Sequence, residues 1–400
     1  MASFLFYDDQ IINILMKEEK PSGGAAVQAY GWIRGLDELG HEVTIMTNKP
    51  GAGELKTENI TLNIVSTYDR SAGIRWLRWV YYRIPFLYRR IREIQPDYLY
   101  QGVPGWTSYL LGKICRSLGI RFVIRISNDF IVDDRIRQKF SWMYCFLQRQ
   151  GMKMAYAILC QNDYQLKQVK QQFPGKLVAK ISNPVFQQFE GRRTPGPGKY
   201  IAWIGIFQYQ KNLKLLWEIA KALPEQDFRI AGKEDAKCDD ETKRYLEKLH
   251  HLPNVRFAGF LGREAVLEFV AGASYLLNTS HYEGFSNTFL EAMSAGTPVI
   301  TSDKVNPDGI ISKHSLGLVY RDVPDLVKKI NAVTPDRYDD MTRLTKQYLD
   351  RYHDYVRLSA RMAGILADGL TIAPYRTDMV IERSPVLISS VLLHKKISRQ

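Results

Sequence analysis

The chain has only four cysteines in 400 residues, Cys115, Cys145, Cys160 and Cys238, and no C-x-x-C pair. That excludes a cysteine zinc cage and a disulfide-framed scaffold, and it fits a reduced compartment. There is no run of eighteen apolar residues, so nothing reads as a membrane-spanning helix. The first residues, MASFLFYDDQIINI, lack the basic start and long apolar stretch of a secretory signal, so a cytoplasmic setting is expected. No D-x-D triplet occurs, so no obvious carboxylate pair awaits a divalent metal, and neither a metal nor another cofactor is expected.

Acid is also scarce where base is abundant. The chain carries 55 Lys and Arg against 42 Asp and Glu, a formal charge of +13, which favours anionic partners. Residues 74–92 hold six arginines and no acid, interleaved with Trp76, Trp79, Tyr81, Tyr82, Phe86 and Tyr88. Two readings stay open for this stretch. One is a helix with a core-facing side and a solvated basic face, broken at Pro85. The other is a peripheral contact with the inner face of the plasma membrane, aromatics at the interface and arginines on anionic headgroups. Nucleic acid is not expected as a partner, since no zinc motif, RNP-like aromatic strand or basic arm of the usual kind is present.

Length and alternation set the fold class. Four hundred residues exceed one ordinary core, so two domains are expected. Apolar runs at 4–7, 42–47, 97–100, 122–126 and 157–160 read as strands, with helical stretches at 25–39, 106–118 and 163–172 between them. The segment 190–199, EGRRTPGPGK, has linker composition. Beyond it the alternation restarts, with strands at 200–205, 227–231, 255–257, 275–278, 299–301 and 317–319 and helices at 213–223, 242–249, 263–270 and 287–295. This predicts an α/β protein of two Rossmann-like doubly wound domains facing across a cleft. The domains are placed at 1–186 and 200–340, joined by a linker at 187–199. Closing helices at 341–370 are expected to pack back toward the first domain, followed by a basic and apolar tail at 371–400.

The most informative segment is 278–300, NTSHYEGFSNTFLEAMSAGTPVI. A strand ends before it, a loop carries Glu283, Gly284 and Phe285, Ser286 is placed to cap a helix, and Gly296-Thr297-Pro298 stops that helix. A helix start offers unpaired N–H groups and a positive dipole end, which suit a diphosphate. Gly284 allows close backbone approach. Glu283, in the loop, can reach a neutral polyol such as a sugar. Glu291, deeper in the helix, is suited to accept hydrogen bonds from ribose hydroxyls.

Glu-x7-Glu within EGFSNTFLEAMSAGTPVI resembles the signature of the retaining glycosyltransferases of family 4, which have the GT-B fold. The likeness extends to GGAAVQAYGWIRGLDELGHEVTIMT at 23–47, ISNPV at 181–185, WIGIFQYQKN at 203–212 and VRFAGFL at 255–261. It implies that Glu283 contacts the transferred sugar and that Ser286, Asn287 and Thr288 present amides to the diphosphate. Glu291 would hold the ribose, Lys211, beside Gly205, would pair with the phosphates, and Gly23 and Gly24 would approach the distal phosphate. Phe260 and Leu261 would lie near the base. Donor contacts are thus expected at 23, 24, 205, 211, 260, 261, 283–288 and 291. Glu283, Lys211 and Asp129 are the expected catalytic set.

Two positions depart from the family pattern. Many relatives have an arginine just after the phosphate-loop glycine, where this chain has Ile206. Many have His-Asp in a first-domain loop, where this chain has Asn128-Asp129, retained as acceptor-side residues. The likeness implies a metal-independent, retaining hexosyltransferase. A nucleotide-diphosphate sugar is the co-substrate, and a glycan or lipid-linked acceptor belongs to polysaccharide or glycolipid assembly. The alternative is a non-catalytic sugar-nucleotide-binding or scaffold protein that kept the fold.

Overall fold

The computed structural model describes residues 1–17, 23–48, 54–56, 61–69, 71–74, 77–186, 188–191, 196–236 and 238–369. The expected tail at 371–400, Arg75 and Trp76, and part of the linker lie outside the described residues.

Two all-parallel sheets organise the chain. The first contains β1 (Ser3–Tyr7), β2 (Glu42–Thr47), β3 (Asn63–Ser66), β4 (Tyr98–Gln101), β5 (Arg121–Arg125), β6 (Ala157–Cys160) and β7 (Leu177–Lys180), in the order β3-β2-β1-β4-β5-β6-β7. The second contains β8 (Ile201–Phe207), β9 (Phe228–Glu234), β10 (Val255–Gly259), β11 (Tyr275–Leu277), β12 (Val299–Ser302) and β13 (Gly317–Tyr320), in the order β10-β9-β8-β11-β12-β13. The fold class expected from the sequence is the one observed, two Rossmann-like units of the GT-B kind.

The chemistry of the strands explains their places. β1 and β6 are buried at almost every position, as strands covered by helices on both faces must be. β3, at the sheet edge, is only half-buried, and its NIVS sequence carries too little apolar signal to read as a strand. β7, the other edge, also escapes sequence reading, being four residues long, flanked by lysine and half-buried at its last two positions. So does the helix Trp142–Met154, whose exposed side is itself apolar. In each sheet the strand order reverses beside the first strand, between β1 and β4 and between β8 and β11. Loops diverge there at the carboxyl ends, leaving a crevice.

One expectation is corrected. Pro85 does not break the 74–92 stretch. A π-helical turn, Trp79–Arg83, runs straight into the α-helix Ile84–Ile94. Pro85 has no N–H to give, and the π-helical turn immediately before it, where the i→i−4 ladder is already interrupted, accommodates it. The buried side of this helix is Leu87 and Ile91, with Arg83 stacked over Tyr68 and Trp79.

Candidate functional site

The helix Asn287–Ser294 is the centre of the site. Ser286 occupies its N-cap position in extended conformation, but its hydroxyl bonds Thr288 Oγ1 at 2.8 Å and does not cap a backbone amide. No acid lies in the first turn. The positive end of the helix is therefore not neutralised by its own side chains. This end opens into a cleft of about 720 Å³ lined by both lobes.

Most of the residues singled out from sequence meet in that cleft. Gly23, Gly24 and Asn128 line it from the first lobe. Gly205, Lys211, Phe260, Leu261, Glu283, Phe285, Ser286, Asn287, Thr288 and Glu291 line it from the second. Gly284 and Asp129 are not on its wall. A Cβ at Gly284 would stand 2.9 Å from Gln161 Oε1 and Gln165 Nε2 and 3.0 Å from the Ser127 carbonyl oxygen, so this glycine lets the loop press against the first lobe. Asp129 lies in the same contact. Its Oδ1 accepts from Asn162 Nδ2 at 2.9 Å and Gln165 Nε2 at 2.8 Å, and Asn162 Nδ2 also donates to the Gly284 carbonyl at 2.8 Å. Burial pushes the Asp129 carboxyl up to about 6, against the lowering effect of those two amides.

Lys211 and Glu283 are partners of each other. Lys211 Nζ stands 2.5 Å from Glu283 Oε1, with both side chains largely buried. Ser280 Oγ donates to the same oxygen at 2.7 Å, and Gln210 Nε2 reaches Oε2 at 3.3 Å. The carboxylate is thereby fixed beside the helix end and its charge is shared with the nearest cation. Glu291 lies one helical side away, where burial raises its carboxyl above the usual glutamate range while Arg263 pulls it back.

Sequence reasoning missed several members of the wall. Arg263, the first residue of the helix Arg263–Ala271, lines the cleft with Glu291; Ile206, already singled out from sequence, lines it too. The two cations on the described wall are thus Lys211 and Arg263. The signal for Arg263 was its position two residues past Leu261, in a segment already assigned to the base. Asp8, Asp9 and Gln10 after β1, Gln28 and Gln101 were also missed, because isolated polar residues after a strand carry no spacing signal. The lobes meet directly at the helix start. Asn287 Nδ2 donates to the Gly24 carbonyl at 2.8 Å, and Gln28 Nε2 donates to Asn287 Oδ1 at 3.1 Å. Gln28 Oε1 in turn accepts from Gln161 and from Arg125, a buried guanidinium over the Trp32 ring.

Residues 22–186 match the family described as Glycosyltransferase Family 4, and residues 186–348 match Glycosyl transferases group 1. The chain is 30% identical over 210 residues to the lipopolysaccharide 1,6-galactosyltransferase of Escherichia coli K12, covering 48% of this chain and 57% of that protein. It is 24% identical over 189 residues to the alpha-monoglucosyldiacylglycerol synthase of Streptococcus pneumoniae, covering 44% and 42%. The chain spans about a third to two thirds of the length of the curated relatives it matches. Among solved structures, Anabaena HepE in complex with UDP and glucose superposes with a TM-score of 0.72 at 14% identity, covering 92% of this chain and all of that one.

Proposed function

From a GT-B chain that is glycosyltransferase family 4-like across residues 22–348, we propose an enzyme that moves a sugar, with retention, from a nucleotide-diphosphate sugar to a hydroxyl of a glycan or lipid-linked acceptor. The observation that carries this reading is the uncapped helix start at 286–288 opening into the interlobe cleft, with Glu283, Lys211, Glu291 and Arg263 around it.

The chemistry follows from that arrangement. The bond from the anomeric carbon to the phosphate oxygen breaks, and negative charge builds on the leaving diphosphate. The amides at 286–288 and the Lys211 ammonium are placed to stabilise that charge. Gly24 and Gly23 let the first lobe's backbone approach the distal phosphate. Glu283 holds hydroxyls of the transferred sugar, Glu291 takes the ribose, and Phe260 and Leu261 flank the base. The acceptor oxygen attacks the face that the phosphate leaves, and its proton passes to the leaving phosphate oxygen. That route needs no strong general base and no divalent ion.

Two features of relatives guide the first substrates. HepE binds UDP and glucose, so uridine diphosphate hexoses head the donor panel. The lipopolysaccharide and diacylglycerol relatives point to envelope glycolipid or polysaccharide assembly. Acceptor presentation at the cytoplasmic face of a bilayer is part of the same reading. It is supported by exposed Val80, Tyr81 and Tyr88 beside Arg89 and Arg92. No helix among the described residues is long and apolar enough to cross a membrane.

A thermal-shift panel of UDP-, GDP- and ADP-hexoses tests donor binding, since a ligand held by the fold raises the melting temperature. Transfer or hydrolysis of the donor that shifts it, unaffected by EDTA and yielding the donor's anomeric configuration, is the expected result. Ile206, where relatives have arginine, favours the alternative of a non-catalytic binding protein. Binding of a donor that is never hydrolysed or transferred would establish that alternative.

A further inference from the structure

The two walls of the cleft differ in charge. On the second lobe Lys211 and Arg263 face the gap. On the first lobe, the described wall has no lysine or arginine. Its polar groups include Asp8, Asp9, Gln10, Gln28, Gln101 and Asn128. In a chain with a formal charge of +13, a wall with no lysine or arginine among its described residues is a local exception. We propose that this wall is a subsite for an uncharged, hydroxyl-bearing acceptor end, a sugar or other polyol, and that it discriminates against phosphate or carboxylate at that end. The proposal rests on the glycosyl-transfer reading above.

Asp8 is the centre of the wall. It follows β1 directly, and its Oδ1 accepts the backbone N–H groups of Gln10 at 2.8 Å and Ile11 at 3.2 Å. Its own N–H donates to the Met46 carbonyl at 3.1 Å. The residue is therefore held by three backbone bonds, and no hydrogen bond among the described residues reaches Oδ2. A fixed carboxylate oxygen accepts from a hydroxyl and repels an anion. Gln10 Oε1 accepts the Gly23 N–H and Asn128 Oδ1 the Phe130 N–H, and their amide nitrogens make no hydrogen bond among the described residues, so both can donate to a polyol, while Gln101 is held by Thr107 and Ser108.

A second observation lies under the same wall. The Tyr100 hydroxyl is buried and has no partner among the described residues. It belongs to β4, and a Cβ added at Gly102, which lines the cleft, would stand 3.9 Å from it. Burial raises this phenol, the buried Arg125 guanidinium pulls it back, and the charge of Asp8 raises it, which places Tyr100 between Asp8 and Arg125 electrostatically. Buried hydroxyls are almost always paired, so this orphan behind Gly102 marks a place where a ligand or a water completes the set.

The test compares acceptors in a donor-consuming assay. Free methyl hexosides and lipid-linked hexosides form one arm, and the same hexose as 6-phosphate or uronic acid forms the other. Neutral acceptors are expected to have a KM at least tenfold below the anionic ones. A lower KM for the lipid-linked form than for the free one would identify the source as a glycolipid. Asp8→Asn keeps an oxygen for the Gln10 and Ile11 amides. It is expected to raise the acceptor KM about tenfold and to narrow the gap between neutral and anionic acceptors, with the donor KM moving far less. Tyr100→Phe is the second variant, expected to raise the acceptor KM several-fold without loss of melting temperature. Equal use of anionic and neutral acceptors, or an unchanged acceptor KM in both variants, overturns the subsite. Donor hydrolysis that no neutral sugar accelerates also overturns it while leaving the transferase reading intact. Failure of every donor to bind or be hydrolysed overturns that reading itself.

Discussion

At the residue scale the Lys211–Glu283 pair changes what each substitution should do. With Glu283 present, the ammonium is half neutralised before a diphosphate arrives. Glu283→Ala removes the sugar's hydrogen-bond acceptor and also frees Lys211 for the phosphates. The expected outcome is a loss of about 10²-fold or more in kcat with donor Kd unchanged or tighter, since groups aimed at the reacting centre act mainly on turnover. Lys211→Ala should weaken donor binding by about tenfold or more, as loss of one charge-assisted bond of about 1.5–3 kcal/mol implies. Calorimetry beside steady-state kinetics reads both. Parallel losses of affinity in the two variants would show that the pair is only structural. Glu291→Ala belongs with Lys211, because a ribose contact acts on binding.

Asp129 gives a pH-dependent prediction. A solvated aspartate ionises at 3.8, whereas burial in the fold moves this carboxyl to about 6. The folded pKa is raised, so the group's stabilising contribution is complete below about pH 4 and is lost as pH rises through 6. Both of its hydrogen bonds arrive at Oδ1 from amide donors, and an asparagine oxygen can accept the same two. Asp129→Asn should therefore stabilise the protein at pH 7.5, by up to roughly 3 kcal/mol, and leave it nearly unchanged at pH 4. Urea unfolding at the two pH values measures the difference. An equal effect at both would mean that the buried charge is not the cause.

At the element scale, the loop and helix 283–294 join the lobes as well as facing the cleft. Gly284 touches the first lobe at Gln161, Gln165 and the Ser127 carbonyl, and a Cβ there would force that backbone oxygen, 3.0 Å away, to give by a few tenths of an ångström. Gly284→Ala should push the two walls apart, weakening donor affinity several-fold while the lobes stay folded. Small-angle scattering together with donor titration would detect this, and normal affinity would remove Gly284 from the interlobe contact. This double duty bears on what is legible in the sequence. The strand-loop-helix order around Glu283 and Glu291 can be read because local signals set it: a strand end, a cap position and a Gly-Thr-Pro stop. The partner of Gly284 cannot, because Asn162 and Gln165 are more than a hundred residues away. The position of Asp129 in RISNDF suggests an acceptor residue, and only the packing of the helix Asp163–Gln172 shows its carboxylate turned into the lobe contact. The exposed apolar side of the helix Trp142–Met154, with Trp142, Met143 and Phe146 in solvent, blurs the periodicity that reveals an ordinary amphipathic helix.

At the scale of the whole molecule, chain order and core membership do not coincide. The helix Pro335–Tyr352 remains against the second lobe, whose core takes Tyr338 and Met341. The helix Tyr355–Asp368 returns to the first lobe. There Leu358, Met362, Ile365 and Leu366 share one buried cluster with Phe6, Trp32, Tyr98 and Leu159. The Tyr98 and Tyr156 hydroxyls both donate to the Leu366 carbonyl at 3.1 Å. The crossing is tied by the buried His353, whose Nδ1 lies 2.8 Å from the Asn183 carbonyl oxygen, and by a parallel bridge between Val185 and Asp354. The first lobe's core is thus completed by residues that follow the second lobe, so the lobes should not unfold independently. Closest approach is at Gly35, where a Cβ would stand 2.3 Å from Ser359 Oγ and 2.6 Å from the Tyr355 carbonyl oxygen. Gly35→Ala must lift the returning helix, because a backbone oxygen cannot rotate away. Met362→Ala, at a fully buried position, should cost about 2–5 kcal/mol by leaving a cavity. Native-state hydrogen exchange is the decisive measurement. Both variants should lower protection in β1, β4 and β6 of the first sheet, although one substitution lies in a helix that follows the second. Protection lost only within residues 355–368 would show that this helix is an appendage whose release leaves the first lobe folded.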